Sequence, residues 1–367
     1  MKPANHTPAP AAARDADRVR KGLERAARRR GDMPAPQVLV QAPGFEFTFG
    51  DQEKPYHAAS IGKSMTAALV TMLVEEDRFD FTTPIGELLP AADLTGLPAV
   101  PGVDTTTDVT VEHLLTHTSG LPDFFEPPHG GETACSIRTL ATNRDRLWLP
   151  SALLDEARRL RAVGRPGELF HYTDTGYLLL GRIAEEALGD RFAALLRERV
   201  LEPSGMTRSS MPYDPREAPD DLAELDIAPF WINGAEFSRA RSLSLAYGGG
   251  NIVTVPGDLV RFQRALHGGQ LISKGGLEHL TRPRRRFRRG IRYGAGYMTL
   301  RFGEFAPPLM RGLPQPVGGL GFFATQMFHY PEQDAHVVLN FHSNREMNRS
   351  FMTHLNIVRL LSKLDRA

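Results

Sequence analysis

Strand-like patterns at both ends of the chain enclose a helical middle. Near the start, apolar and polar residues alternate along Phe45–Phe49, and Ala42-Pro43-Gly44 separates this segment from Gln37–Gln41, which predicts a hairpin. Near the end, three more segments have strand character: Tyr297–Phe302, Phe322–His329 and Ala335–Phe341. Terminal segments of this kind can form one antiparallel sheet that helices cover. The pattern therefore predicts an α+β fold.

Helical spacing of apolar residues dominates the rest of the chain. Ser60–Glu76 places Met65, Leu69 and Met72 on one side of a helix. Residues 1–13 read as a tail, and the arginine-rich Arg14–Arg30 predicts a solvated helix. Further helices are predicted at Val111–Leu115, 150–163, 175–188, Phe192–Leu201, Asp258–His267 and 350–364.

The composition excludes several classes of protein. Of 367 residues, 41% are apolar and 24% charged, which is typical of a globular domain. Forty-four basic and 43 acidic residues give a net charge of +1, so charge indicates neither a nucleic-acid nor a membrane partner. The first 30 residues lack the apolar core of a secretory signal, and no run approaches the ~18 apolar residues of a membrane helix. The single Cys135 fits a reducing compartment, so we expect a cytoplasmic protein.

A serine and a lysine three residues apart open the first amphipathic helix. Residues i and i+3 share a helix face, so Lys63 can reach the hydroxyl of Ser60. A serine hydroxyl becomes a nucleophile when a neighbour takes its proton. Free N–H groups at a helix start also help to stabilise an oxyanion. The alternative is an N-cap serine followed by a surface lysine.

Tyr172 lies in a polar turn, Phe170–Tyr177, that opens an apolar helix. Beside a lysine ammonium, a phenol can act as phenolate or proton relay. The alternative is a packed tyrosine whose hydroxyl is hydrogen-bonded. His113 and His117 lack an acidic or cysteine partner at motif spacing, so we interpret them as structural and expect no metal site.

A glycine-rich segment, Pro316–Gly321, precedes the predicted strand at Phe322. Glycines at a strand edge let a substrate backbone approach closely. The N–H groups of Leu320 and Ser60 can then form an oxyanion hole. The alternative is a simple glycine-rich turn.

The order of these motifs resembles the serine β-lactamase and penicillin-binding-protein superfamily. The similarity is closest to its class C-like branch, which includes family VIII esterases, D-aminopeptidases and LovD-type acyltransferases. It extends over residues 37–361. Besides Ser60-Ile61-Gly62-Lys63, the segments that resemble branch motifs are Thr110–Pro122, Pro166–Tyr172, Glu202–Thr207, Gly248–Asn251 with Thr254, and Asp258-Leu259.

This resemblance implies a β-lactamase/transpeptidase-like fold, in which helices flank an antiparallel sheet and an all-helical domain is inserted. We expect a tail and basic helix over 1–35, a sheet domain from 36–90 and 245–367, and a mainly helical domain over 91–244. The resemblance also implies that Ser60 is acylated and that Lys63 and Tyr172 share the proton transfers. Which of these two is the base stays open, because coupled groups titrate as a unit.

Two departures from the family pattern concern substrate binding. The third residue of the Tyr-x-Asn motif is Asp174, and an ionised carboxylate accepts but does not donate hydrogen bonds. The Lys/His-x-Gly triplet falls on Val317-Gly318-Gly319, so the cation that would face a substrate carboxylate is missing. Both departures argue against β-lactams and D-Ala peptides.

Three aromatic pairs lie in segments that would border the cleft, and Phe125 and Trp231 are candidates for an apolar acyl pocket. Core packing is the alternative. Residues 282–292 contain seven arginines in eleven positions. We interpret this stretch as a solvated loop, with docking of an anionic carrier at Arg284–Arg289 as the sharper alternative.

The sequence therefore predicts a cofactor-free serine hydrolase with Ser60, Lys63 and Tyr172 as catalytic residues. The first expectation is a carboxylesterase for small or medium acyl esters. An acyltransferase with an ester or thioester donor is the first alternative. A D-amino-acid peptidase or weak β-lactamase is the second, and a non-catalytic binding protein is the third.

Overall fold

The computed structural model describes residues 10–29, 31–216, 222–305, 310 and 312–364. Its strands, in chain order, are β1 (Gln37–Ala42), β2 (Phe45–Phe49), β3 (Tyr56–His57), β4 (Trp231–Ile232), β5 (Ala235–Glu236), β6 (Val253–Thr254), β7 (Arg285–Arg288), β8 (Ile291–Tyr293), β9 (Met298–Leu300), β10 (Val317–Gly321), β11 (Thr325–Tyr330) and β12 (Ala335–Asn340). Its α-helices are α1 (Pro10–Ala27), α2 (Gly62–Glu75), α3 (Ala91–Leu94), α4 (Thr105–Asp108), α5 (Val111–Leu115), α6 (Pro150–Arg158), α7 (Asp174–Leu188), α8 (Phe192–Leu196), α9 (Tyr247–Gly250), α10 (Pro256–His267), α11 (Lys274–Thr281) and α12 (Met347–Leu364).

One antiparallel sheet of eight strands organises the molecule, in the order β2-β1-β12-β11-β10-β9-β8-β7. The two ends of the chain meet where Val38 pairs with Leu339 and Val40 pairs with Val337. These side chains are fully buried, so the apolar pattern fixes the register. The predicted α+β fold, with helices flanking an antiparallel sheet, is confirmed. The division into a sheet domain and a helical domain stays a prediction.

Each face of the sheet carries its own apolar core. One core joins the sheet to α2, α7 and α10, and the other joins it to α1 and α12. The arginine-rich segment is indeed helical, but it is not simply solvated, because Val19, Leu23 and Ala26 are buried. Lys363 also forms an ion pair with Asp15, which ties α12 to α1.

The glycine-rich segment is a strand, so the alternative of a simple turn is wrong. It forms β10, and β11 begins at Thr325 rather than at Phe322. Glycine has a low strand propensity, so the residue types do not predict this strand. The close packing of β10 nevertheless requires glycine. A Cβ on Gly321 would lie 2.5 Å from the carbonyl oxygen of Ala58. The β10 backbone therefore approaches the segment just before α2 more closely than a side chain would allow.

The arginine stretch is also not a loop. It forms the hairpin β7–β8 at the outer edge of the sheet, with a bulge between Arg286 and Arg288. Ile291 and Tyr293 are buried while most of the arginines are exposed, so the two faces of the hairpin differ. Charged side chains on an edge strand discourage pairing with another chain.

The predicted helices are confirmed with adjusted ends. The helix predicted at 150–163 ends at Arg158, and Phe192–Leu201 is an α-helix that continues as one π turn. None of the helices within the described residues has both the length and the hydropathy to cross a bilayer.

Candidate active site

Ser60 lies in a tight 3-10 turn, Ala59–Ile61, that leads directly into α2. Ala59 has a φ of 52°, a left-handed conformation that is unfavourable for a residue with a Cβ. The ring of His57 supports this conformation, since its Nδ1 accepts a 2.9 Å hydrogen bond from the Ala59 N–H. Burial lowers the pKa of His57 to about 3, so the ring remains neutral and Nδ1 remains an acceptor.

The predicted contact between Ser60 and Lys63 is present, with 3.4 Å between Oγ and Nζ. Only 2% of Lys63 is exposed. Its ammonium group forms an ion pair with Asp174 and donates a 3.2 Å hydrogen bond to the carbonyl oxygen of Gly249. A buried charge needs such partners, so these contacts hold Nζ in place.

The glycines of the short helix α9, Gly248–Gly250, give Lys63 its space. A Cβ on Gly249 would lie 2.7 Å from the Asp174 carboxylate and 2.9 Å from Lys63 Nζ. A Cβ on Gly250 would lie 2.6 Å from the carbonyl oxygen of Ala59. The absence of side chains at these positions therefore permits both the ion pair and the turn that carries Ser60.

Tyr172 completes the group of three predicted residues. Lys63 Nζ lies 5.0 Å from the centre of its ring, and the His117 ring packs against it with 4.2 Å between ring centres. Burial and the charge of Asp174 raise the pKa of Tyr172 well above its usual value of 10, although a hydrogen bond with Ser60 opposes this. Tyr172 is therefore a neutral phenol at rest.

His117 positions the Tyr172 turn. Its Nδ1 accepts a 3.1 Å hydrogen bond from the Thr173 N–H, so Nε2 carries the proton and faces the Tyr293 hydroxyl at 3.0 Å. His113 caps α5, where its Nδ1 accepts a 3.2 Å hydrogen bond from the Thr110 N–H. The interpretation of both histidines as structural is confirmed.

Asp123 is a buried carboxylate that the sequence analysis missed. It accepts hydrogen bonds from the N–H groups of Asp174, Phe125 and Glu126, at 2.9, 3.3 and 2.9 Å. Burial and the nearby charge of Asp174 raise its pKa to about 7, against the effect of these donors. Its position directly after Gly120-Leu121-Pro122 was the available signal. Lys63, Asp174 and Asp123 thus form one polar network.

The N–H of Leu320 lies on the part of β10 where an oxyanion hole was predicted. Among the described strands, β9 pairs with β10 only at Val317 and Gly318, which leaves Gly319–Gly321 unpaired on that side. Leu320 and Ser60 line the same cleft. An ester carbonyl beside Ser60 would therefore meet an open strand edge.

Two cavities border Ser60. The larger has a volume of about 650 Å³, and Tyr172 and Leu320 line it. The smaller has a volume of about 60 Å³, and Phe125, Asp174 and Gly249 line it. Phe322 lines both.

Of the remaining candidate binding residues, some line a cavity beside Ser60 and others do not. Phe125 and Asp174 line the smaller cavity, as a substrate-binding role requires, but Asp174 also pairs with Lys63. Trp231 lines neither of the two cavities, and its neighbour Ile232 contacts the smaller one instead. Val317, Gly318 and Gly319 provide the backbone of β10 rather than cavity walls.

The arginine hairpin borders the larger cavity through Arg288 and Arg289. Several other arginines there are engaged within the chain. Arg284 pairs with Glu112, and Arg285 donates a 2.6 Å hydrogen bond to the carbonyl oxygen of Gly167. Arg292 pairs with Glu304. Only part of this positive charge is therefore directed toward solvent.

Three potential metal ligands meet at the far end of β11 and β12, where atoms of His329, Asp334 and His336 lie within 4.8 Å of one another. The Gln263 amide is best satisfied when its NH₂ group donates to His336 Nδ1 and its oxygen accepts from the N–H groups of Phe328 and His329. His336 then keeps its proton on Nε2. We interpret the cluster as stacked neutral core histidines.

Comparison with known proteins places this fold in a family. A family profile described as Beta-lactamase matches residues 50–360. The chain belongs to the beta-lactamase family. This family member is 27% identical to Penicillin-binding protein 4* of Bacillus subtilis over 310 residues, 81% of this chain and 62% of that protein. It is 27% identical to the monacolin J acid methylbutanoyltransferase of Aspergillus terreus over 47% of this chain and 41% of that protein.

Solved structures of other proteins show the same fold. D-amino acid amidase from Ochrobactrum anthropi SV3, complexed with D-phenylalanine, superposes with a TM-score of 0.74 at 20% identity, covering 97% of this chain and 99% of that one. EstCE1, a hydrolase with promiscuous acyltransferase activity, gives 0.71 at 16% identity, covering 96% and 99%. The match spans less than two thirds of the length of the curated relatives. The similarity therefore establishes family and fold, and the activity is a proposal argued from the site.

Proposed function

We propose that this beta-lactamase family member is a serine hydrolase that forms an acyl-enzyme on Ser60 and cleaves esters of small or medium acyl groups. The observation that supports it most is the 3.4 Å contact between Ser60 Oγ and a buried lysine beside a neutral tyrosine. A hydroxyl next to proton-transfer groups and an open strand edge is the arrangement that acyl transfer needs.

The proposed reaction has two halves. Ser60 Oγ forms a bond to the acyl carbon, the bond between that carbon and the alcohol oxygen breaks, and the departing alcohol receives a proton. Lys63 and Tyr172 together relay the proton: the pair accepts the Ser60 proton as it gives one of its own to the alcohol, so its number of protons is unchanged. Water then attacks the acyl carbon, releases the acid and returns a proton to Ser60. The N–H groups of Ser60 and Leu320 stabilise the oxyanion in both halves.

The site favours esters over carboxylate-bearing amides. Val317 occupies the position of the family's carboxylate-binding cation, and Asp174 is committed to Lys63. A D-amino-acid peptidase or a weak β-lactamase would need a donor and a cation where these residues offer neither.

An acyltransferase is the second candidate, and the larger cavity favours it. Its volume of about 650 Å³ would admit an acceptor alcohol, and Arg288 at its rim would face an anionic donor or carrier. The exposed Arg286 lies on the same hairpin. A rate that falls with salt in wild type but not in an Arg286→Ala/Arg288→Ala variant would support carrier binding, whereas equal salt dependence would exclude it.

A panel of p-nitrophenyl esters tests the hydrolase proposal. We expect turnover of short acyl chains and a loss of at least ~10³-fold in Ser60→Ala, because a nucleophile and its base act as one unit. A fluorophosphonate should add its mass to Ser60 in wild type only. Full turnover by Ser60→Ala, or labelling elsewhere, would exclude the proposed acyl-enzyme.

A further inference from the structure

The two cavities beside Ser60 differ tenfold in volume. The smaller one, at about 60 Å³, has room for only a small group. The larger one, at about 650 Å³, lies in the range of sites that enclose drug-sized ligands. A substrate that bridges both must therefore have one small and one large part.

The geometry of an ester indicates that its acyl chain and its alcohol occupy different cavities. An ester carbon carries an oxygen, an acyl chain and an alcohol. If the oxygen lies between the N–H groups of Ser60 and Leu320, the acyl chain and the alcohol must point in the two remaining directions. The smaller and larger cavities both border Ser60, so we assign one part of the substrate to each.

Tyr172 distinguishes the two directions. The departing alcohol must receive a proton, and the neutral phenol of Tyr172 is a donor of that proton. Tyr172 lines the larger cavity, whereas Asp174, a proton acceptor paired with Lys63, lines the smaller one. The alcohol therefore belongs in the larger cavity.

The walls of the larger cavity indicate which alcohol fits. They consist mainly of apolar side chains from β9, α12 and the segment between β9 and β10: Met298, Phe302, Phe305, Met347, Phe351 and Leu355. Charged residues, among them Glu126 and Arg288, also border it. A bulky apolar group matches these walls, and burying it is favourable in proportion to its area.

We propose that the substrate is a short-chain acyl ester of a bulky, apolar alcohol, with the acyl group in the smaller cavity and the alcohol in the larger one. This inference rests on the proposed acyl-enzyme at Ser60 and adds the orientation and size class of the substrate. This orientation is the reverse of that in a lipase-like esterase, whose substrates have the long chain in the acyl part.

Two isomeric esters test the orientation. Hexyl acetate has the small acyl part and the large alcohol, and ethyl hexanoate has the reverse with the same atoms. With each rate divided by that of alkaline hydrolysis of the same ester, we expect kcat/KM for hexyl acetate to be at least about tenfold higher, since a few methylenes in a pocket give such a ratio. A ratio at or below one would overturn the orientation.

Two variants test the cavities separately. Phe125→Ala enlarges the smaller cavity, so the preference for hexyl acetate over ethyl hexanoate should fall at least about fivefold. Phe351→Ala removes part of the wall of the larger one, so the preference for hexyl acetate over methyl acetate should fall by a similar factor through KM. Leu149→Ala, at an exposed leucine that lines neither cavity, is the control and should leave both ratios unchanged.

Fluorophosphonate labelling separates the two levels of the proposal. Labelled Ser60 with turnover that favours ethyl hexanoate would overturn the orientation and keep the hydrolase. Unlabelled Ser60 without ester turnover would overturn the hydrolase and the orientation with it. If the preference for hexyl acetate rose in Phe125→Ala and in Phe351→Ala instead of falling, the orientation would also be overturned.

Discussion

The two sides of Ser60 differ in how they are held. On one side, Lys63, Asp174 and Asp123 are joined by ion pairs and hydrogen bonds and are largely buried. On the other side, a wide cleft with mostly apolar walls opens at an unpaired strand edge. A buried polar network tolerates few arrangements, while an apolar wall tolerates many. The difference suggests that the first side determines the rate of the chemistry and the second determines which ester is accepted.

The strongest test of the buried side is Lys63→Met. We expect turnover to fall at least ~10³-fold, because Ser60 loses its proton-transfer partner. Removing one member of a buried pair also costs about 3–5 kcal/mol of unfolding free energy, since Asp174 is left charged and unpaired. Activity assays and denaturant unfolding measure the two effects.

The double variant Lys63→Met/Asp174→Asn separates those effects. Neutralising Asp174 should restore most of the stability, while the activity should stay lost. Recovery of activity in the double variant would contradict the role of Lys63 in proton transfer.

A smaller effect on the same side is expected for Gly249→Ala. The added methyl would lie within 3 Å of both the Asp174 carboxylate and Lys63 Nζ and would displace Nζ from Ser60. A displacement near 1 Å can slow the chemical step about a hundredfold, so kcat should change more than KM. Steady-state kinetics measure this split.

Gly22→Ala is the matched control for that substitution. Gly22 lies within α1, and a Cβ there would meet nothing within 4 Å. We expect unchanged kinetics and a slightly higher melting temperature, because alanine favours helix. If kcat fell equally in Gly249→Ala and Gly22→Ala, the effect at Gly249 would not come from displacing Lys63.

Leu320→Ala tests the open side and should act in the opposite way. The side chain lines the larger cavity, while the N–H that we propose for the oxyanion hole is retained. We expect KM for bulky esters to rise by about tenfold, while kcat should change less than about threefold. If kcat instead fell about a hundredfold and KM stayed unchanged, the two sides of Ser60 would not be separable.

The smallest effect concerns Asp123 and appears in stability rather than turnover. Its pKa is raised to about 7 in the fold, above the usual value near 4. Its stabilising contribution is therefore complete below pH 4 and is lost as the pH rises through 7. Asn at this position cannot ionise, so the unfolding free energy of Asp123→Asn relative to wild type should increase between pH 5 and pH 8. Denaturant unfolding at both values measures it, and a relative stability independent of pH would contradict the raised pKa.

Most features that depend on residues close together in the sequence were predicted correctly, and most features that depend on distant residues were not. The contact between Ser60 and Lys63 is a property of helical spacing, so three residues of separation predict it. The hairpin of β1 and β2 follows from alternation around a short turn. In contrast, the glycines of β10 carry no propensity signal, and the arginines of β7 read as solvent-exposed wherever they lie.

The sequence by itself determined most of the helices, the strands near both ends of the chain and the residue types that could transfer an acyl group. Apolar periodicity and motif spacing are local properties, so the sequence alone is enough to recognise them. Only the tertiary structure decided that Asp174 binds Lys63, that Asp123 is buried beside it and that two unequal cavities meet at Ser60. These features depend on contacts between segments 50 to 190 residues apart, whose distances and burial are set by packing alone.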